Sequence, residues 1–260
     1  DMITKMINVS YDPDARCPQW LKFLKRVIPN AEERKFLKKY IGYSLTAITN
    51  EQCFLLIYGQ GHNGKSVFVD IIQQLLSPYH FHASAKTIMQ VDRQKEDYTL
   101  AELQGIRLMT LDELDERDIL NEAMIKNMTG GDAIACRHPF GRPFSFIPQF
   151  KLIIYGNHKP KITGIDNGIW RRPKLLHFSQ VISASERDPD LSKKLRDELP
   201  GILAWAVRGC LLWQEEGLDE PASMKKYLKD YRSEMDTFQQ FVDECILITE
   251  NESDIVRSQY

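Results

Sequence analysis

Apolar positions along the chain change their spacing twice. From about residue 18 to 49 they recur at helical intervals: Trp20, Phe23, Leu24, Val27 and Ile28, then Phe36, Leu37, Tyr40 and Ile41 after a turn at Pro29-Asn30. That spacing predicts a small helical lead-in. From Gln52 onward, short continuous apolar runs alternate with helical stretches. Residues 53–58 (Cys-Phe-Leu-Leu-Ile-Tyr) form such a run, as a parallel strand buried on both faces would. A glycine-rich turn follows, then an apolar helix over 66–76 stopped by Ser77-Pro78. Further strands are predicted at 107–111, ending in acids, at 150–155, ending in Gly156-Asn157, and at 175–178. Between the second and third of these core strands, residues 134–146 carry Pro139, Gly141 and Pro143 near their middle, which predicts a hairpin. Residues 190–244 read as helical again. Strands alternating with helices, with functional turns at strand C-termini, predict an α/β fold built on an open, mostly parallel sheet. The expected organisation is an N-terminal helical segment (1–50), a core with its hairpin (51–182) and a C-terminal helical segment (183–260).

Composition adds mainly exclusions. The chain has 260 residues, 43% hydrophobic and 27% charged, which is ordinary globular usage and too apolar for a disordered chain. No apolar run approaches the roughly 18 residues needed to span a bilayer. The opening Asp-Met-Ile-Thr-Lys has no apolar h-region, so no signal peptide is expected and secreted and membrane classes are excluded. Starting on a residue other than Met, the chain reads as a piece of a longer protein. The five cysteines (Cys17, Cys53, Cys136, Cys210, Cys245) are scattered and never spaced C-x-x-C, as for thiols in a reducing cytosol. The formal net charge of −2 hides an uneven distribution. Residues 96–122 hold nine acids and two bases, whereas 134–175 hold eight bases and one acid. Opposite blocks in one chain point to sites for opposite partners, such as a metal cation and a polyanion.

The most specific chemistry lies in Gly59-Gln60-Gly61-His62-Asn63-Gly64-Lys65-Ser66, which satisfies G-x-x-x-x-G-K-[ST] between a strand and a helix. Glycines let backbone N–H groups converge on phosphate oxygens, and the helix start adds partial positive charge. Lys65 would reach the β- and γ-phosphates and the Ser66 hydroxyl would ligate Mg²⁺, the nucleotide-binding set running from Gly59 to Val67. Asp112 and Glu113 close the second strand, where one acid would hold the metal and another orient the attacking water. Which does which stays open, and Asp115 and Glu116 just beyond suit a solvated helix start. Asn157 ends the third strand, placed to hydrogen-bond the γ-phosphate or the lytic water. Arg171 and Arg172, at a loop-to-strand junction, suit a charge clamp on a neighbouring subunit's γ-phosphate. Arg137, His138, Phe140 and Arg142 crowd the hairpin tip, where cations interleaved with an aromatic ring suit single-stranded DNA.

In their order these motifs resemble the helicase half of phage and plasmid primase–helicases, the satellite-phage alpha-protein and poxvirus primase–helicase group of superfamily 3. The likeness rests on 59–66, Asp112-Glu113, Ile125-Lys126 through Thr129-Gly-Gly-Asp132, Tyr155-Gly-Asn157-His-Lys-Pro160 and Ile169-Trp-Arg-Arg172. Flanking helices resemble the family's at Pro18-Gln-Trp20, Tyr40 to Leu45, Leu199-Pro-Gly-Ile202 through Trp205, and Gly217-Leu218. The resemblance implies an AAA+ P-loop NTPase core, a homo-oligomeric ring, usually a hexamer, with ATP and Mg²⁺ between subunits, and 3′-to-5′ movement on single-stranded DNA. It assigns Lys65 and Ser66 to phosphates and metal, Asp112-Glu113 to metal and water, Asn157 to sensing, Arg171-Arg172 to a finger in trans, and 134–146 to the channel. Asp112 departs from the family's frequent pattern of a single Glu, at the position of Glu113, after a small residue. The resemblance also implies a primase or polymerase module upstream, and the cytoplasm of a bacterial host as the setting of a viral replication protein. Two other classes fit a P-loop: an ATP-dependent origin loader that does not unwind processively, and a small-molecule kinase.

Overall fold

The computed structural model describes residues 5–84, 98–112 and 118–236. Five parallel strands make the central sheet: β1 (Phe54–Tyr58), β2 (His80–Ala83), β3 (Leu108–Leu111), β6 (Lys151–Gly156) and β7 (Pro173–His177). Their spatial order is β2-β3-β6-β1-β7. β4 (Ile134–Arg137) and β5 (Pro143–Phe146) pair antiparallel as a separate hairpin, with Ile134 opposite Phe146 and Arg137 opposite Pro143. The helices are α1 (Pro18–Val27), α2 (Ala31–Ser44), α3 (Lys65–Leu76), α4 (Glu122–Gly130), α5 (Asn167–Trp170), α6 (Leu191–Asp197), α7 (Leu199–Glu216) and α8 (Ala222–Met235). The fold is α/β with a parallel sheet and flanking helices, as the sequence predicts. β2 is the strand not foreseen, because His-Phe-His-Ala is neither a continuous apolar run nor a clean alternation.

Local signals account for the helix starts. Pro18 at the first turn of α1 has no N–H to leave unpaired. Asn30 caps α2 by accepting from the Glu32 N–H (2.9 Å), and Glu32 and Glu33 complement the helix dipole.

Side chains alternate along the strands, so the sheet buries both faces. Leu55, Ile57, Leu108, Ile153 and Leu176 face one core, shared with Trp20, Phe36, Phe68, Ile202 and Trp205 from α1, α2, α3 and α7. Phe54, Leu56, Met109, Leu152 and Leu175 face the other, shared with Ile125, Cys136, Phe146 and Trp170. The N- and C-terminal helices thus meet in one core. α2 and α7 approach so closely that a Cβ on Gly42 would lie 2.0 Å from the Cys210 N, and one on Gly209 2.1 Å from the Lys38 O. The Tyr40 hydroxyl, fully buried, ties α2 to two strands by donating to the Leu152 O (2.8 Å) and accepting from the Leu55 N–H (3.2 Å).

Lys151, at the start of β6, is 2% exposed. Its ammonium donates to the Thr46 O (2.5 Å) and lies 4.4 Å from the Tyr43 ring centroid. Burial, and secondarily the Arg107 charge, push its pKa down to about 7. The unfolded chain, with lysine near 10.4, then binds more protons than the folded one above pH 7, so stability rises with pH from there. Buried Cys17 and Cys53, pushed up to about 11 and about 12, oppose the rise once unfolded thiols begin to ionise near pH 8.5. Thermal melts should therefore show the melting temperature climbing between pH 7 and about 8.5. Lys151→Met should flatten most of that climb; an unchanged slope in the variant would remove Lys151 as its cause.

Candidate active site

β1 runs directly into the glycine-rich loop, and the loop's shape is dictated by its contacts. Gly59 has φ +148°, and a Cβ there would lie 2.4 Å from the Phe178 O. Gly64 (φ +87°) precedes α3, with Phe23 and Val27 of α1 packed where its Cβ would go. The buried Asn63 carboxamide donates to the Phe178 O (2.9 Å) and pins the loop to the residue after β7. Inside this frame the Lys65 ammonium donates to the Gly59 O (2.6 Å), the Gln60 O (3.1 Å), the Asn63 Oδ1 (3.1 Å) and the Asn157 Oδ1 (3.3 Å). All four partners are neutral. Burial, with no counter-charge among the described residues, lowers the Lys65 pKa to about 8. A phosphate oxygen would supply the missing negative charge. Ser66 and Gln60 are exposed at the same mouth. A cavity of about 580 Å³ opens beside the loop, with Phe23, Val67, Ile182 and Leu191 in its walls and Lys22 and Arg26 among its lining residues.

Strand order brings the predicted residues together. Tyr58 pairs in register with Gly156, so Asn157 leaves β6 beside the start of the loop. Leu111 pairs with Ile154, placing Asp112 at the next tip along. Glu113, together with Asp115 and Glu116, lies outside the described residues.

Asp112 has a backing that sequence reasoning missed. Its Oδ1 faces the His82 Nε2 at 3.3 Å, and its Oδ2 accepts from the Tyr155 hydroxyl at 3.4 Å. Behind it the Thr110 Oγ1 contacts the His82 Nδ1 (3.1 Å), the His80 Nε2 (2.8 Å) and the Gln73 Nε2 (3.0 Å). One hydrogen-bond assignment satisfies every group. Gln73 and His80 donate to the hydroxyl, the hydroxyl donates to the His82 Nδ1, and the His82 Nε2–H donates to Asp112. Burial lowers the His80 pKa to about 4, so its ring is neutral and carries its one proton on Nε2 in this assignment. Nothing in the pattern of His80-Phe-His82 signals this role, since β2 itself was not legible.

The paired arginines part company. Arg172 is 6% exposed; its Nε donates to the Thr129 Oγ1 (2.9 Å) and its Nη1 to the Gly168 carbonyl, bracing α4 against the start of β7. Arg171 is exposed, with its Nη2 donating to the Gln52 Oε1. The Arg172 carbonyl accepts from the Phe54 N–H, so both arginines sit where β1 and β7 begin, whereas the loop lies where β1 ends. Five strand residues separate the two ends, roughly 15 Å. Arg171 therefore faces away from its own loop.

The hairpin forms as predicted and buries one side. Ile134, Cys136 and Phe146 enter the second core, leaving the tip in solvent. Phe140 (φ +60°) is fully exposed; Arg137 and Arg142 are exposed beside it, with Arg137 5.6 Å from the Tyr98 ring centroid. His138 stacks on Phe144 at 5.2 Å.

Comparison with known proteins bears on this arrangement. A family model described as a family of unknown function, DUF5906, matches residues 57–172, the stretch from the end of β1 to the arginine pair. "Putative helicase L207/L206" of Acanthamoeba polyphaga mimivirus is 27% identical over 248 residues, covering 88% of this chain and 26% of that protein. "Putative helicase 022R" of Frog virus 3 is 25% identical over 249 residues, covering 87% and 25%. "Putative primase C962R" of African swine fever virus (isolate Tick/Malawi) is 22% identical over 204 residues, covering 75% and 21%. The resemblance to the primase–helicase group holds. The chain spans about a quarter of the length of these viral relatives. The same fold recurs in the apo structure of the NrS-1 C-terminal region, with a TM-score of 0.69 at 12% identity, covering 91% of this chain and 55% of that one. Among the described residues no helix is long and apolar enough to cross a membrane.

Proposed function

We propose that the chain is the ATP-hydrolysing motor of a DNA replication helicase of a virus or other mobile element, working as a ring on single-stranded DNA. What carries this is the 3.3 Å contact between the Lys65 Nζ and the Asn157 Oδ1. It joins the phosphate loop to the strand that stands between β1 and the Asp112-tipped β3, so the three groups share one mouth. On this reading the Lys65 ammonium exchanges its carbonyl partners for β- and γ-phosphate oxygens. Asn157 is released to hold the γ-phosphate or the attacking water, and Asp112 and Glu113 orient metal and water. The Ser66 hydroxyl and the Asp112 carboxylate are hard oxygen donors of the kind Mg²⁺ selects, and the His82 and Tyr155 contacts hold the carboxylate in place. Mg²⁺ bound there would offset charge on the phosphates. The cavity walled by Phe23, Val67, Ile182 and Leu191 suits the base of the nucleotide.

Two features support a site shared between subunits, with a hexameric ring as the form the motif resemblance implies. Arg171 carries an exposed guanidinium too far from its own loop to serve it. The hairpin presents Arg137, His138, Phe140 and Arg142 together, a cationic and aromatic tip for a single strand. The names of the viral relatives, putative helicase and putative primase, support a replication role, and the motif resemblance implies a primase or polymerase module upstream. ATP turnover should be stimulated by single-stranded DNA. Removing Arg137 and Arg142 together should weaken DNA binding and lower the slope of log affinity against log salt by about 0.7 for each phosphate no longer neutralised. A small-molecule kinase would show no stimulation by DNA. Stimulated turnover without strand displacement would instead identify an origin loader.

A further inference from the structure

Gln52 stands two residues before β1, outside every motif, yet its conformation is unusual. Its φ is +48°, a left-handed backbone that a side chain normally makes costly. The backbone is held there by its N–H donating to the Thr49 O (3.1 Å). The side chain is committed at both ends. Its Nε2 donates to the Gly130 O (3.1 Å), the last carbonyl of α4, and its Oε1 accepts from the Arg171 Nη2. A carbonyl on one side and a guanidinium on the other leave one possible orientation of the amide. Gly130 is followed by Gly131 in a left-handed cap (φ +87°), so the anchor is a helix terminus rather than a loose loop.

We infer that Gln52 is a positioning residue for Arg171, aiming the guanidinium out of the subunit so that it can meet the triphosphate of a neighbour. This rests on the shared-site reading given above. Three observations converge on it. Of the two arginines only Arg171 is exposed, while Arg172 is bound inside by Thr129 and Gly168. Among the described residues no carboxylate pairs with Arg171, so its full charge remains available. The group that holds it is a neutral amide, which fixes direction through one of five N–H donors without cancelling the charge. A carboxylate at the same place would grip harder and neutralise it.

The test uses two substitutions chosen for the backbone. Gln52→Gly removes the amide and takes φ +48° without strain, so the fold is kept and the side chain alone is lost. Gln52→Glu keeps the acceptor but turns it into an ion-pair partner. Both should lower kcat for ATP roughly ten- to a hundred-fold, as misplacing a reacting group by an ångström does, with KM for ATP near parental values. Gln52→Gly should also keep the parental melt, whereas Gln52→Glu should melt lower because its second oxygen faces the Gly130 O. Because Arg171 acts on the neighbour, mixing either variant with Lys65→Ala chains should restore turnover: those chains have a dead loop but an intact, correctly aimed arginine. A structural role confined to the variant's own loop would not be repaired by mixing. Parental turnover in Gln52→Gly overturns the inference. So does a loss that mixing fails to rescue while Arg171→Ala is rescued under the same conditions, and either result leaves the shared site standing. Full turnover by Arg171→Ala itself overturns the shared site and the role of Gln52 with it.

Discussion

Lys65→Ala should reduce ATP turnover by roughly a thousand-fold or more, the scale expected when a preorganised charge on the transferring group is removed, and it should do so without lowering the melting temperature. The second half follows from the ammonium's surroundings. Four neutral acceptors hold it, no carboxylate among the described residues offsets it, and burial has lowered its pKa to about 8. Taking away a buried, uncompensated charge relieves the fold of a desolvation cost while leaving the Asn63 tether to Phe178 in place. The variant should therefore melt at or slightly above the parental temperature while phosphate release is abolished. The same depressed pKa gives a pH signature for the parent. A triphosphate favours the charged lysine, so nucleotide affinity should fall as pH rises through about 8 and beyond. Parental turnover in Lys65→Ala, measured by phosphate release, would dismiss the loop as the nucleotide site.

Arg171→Ala should be nearly as damaging, roughly a thousand-fold in kcat, on the scale of an arginine donated in trans. It should be silent in a thermal melt, because the side chain is exposed and makes one hydrogen bond to Gln52. Arg172→Ala should behave in the opposite way. Its guanidinium satisfies the Thr129 hydroxyl and the Gly168 carbonyl in a buried setting, so its loss should cost about 1–3 kcal/mol of stability. Mixing separates the two further. Arg171→Ala chains combined with Lys65→Ala chains should regain turnover, since the intact loop of the first meets the intact arginine of the second. Failure to regain any activity across mixing ratios would argue that no site is shared. The neighbouring arginines are equivalent in sequence and differ only in which way the chain turns after α5.

That contrast marks where the sequence was legible. The loop could be read because glycine spacing, a lysine and a following helix are local and tied to one chemistry. β1 and β6 could be read because continuous apolar runs are what a strand covered on both faces requires. The hairpin was visible in its Pro139, Gly141 and Pro143. What escaped was set by tertiary contact. β2 hides because His80 and His82 are polar, and only the fold shows that their rings close on Thr110 and Asp112. The strand order, which puts Asn157 between Lys65 and Asp112, has no signature in the chain. Gln52 looks like an ordinary residue before a strand; its role depends on Gly130 and Arg171, some eighty and a hundred and twenty positions away. Side-chain direction, not residue identity, was the missing information.

β6 is hydrogen-bonded to β3 on one side and β1 on the other along most of its length. It follows the hairpin after a short connection and ends at Gly156, just before Asn157. A beam clamped along both flanks does not flex locally; a push at one end arrives at the other or shifts the whole slab. Any rearrangement around Asn157 that accompanies bond cleavage would therefore be felt at the base of the hairpin as a single stroke, with little lost to bending in between.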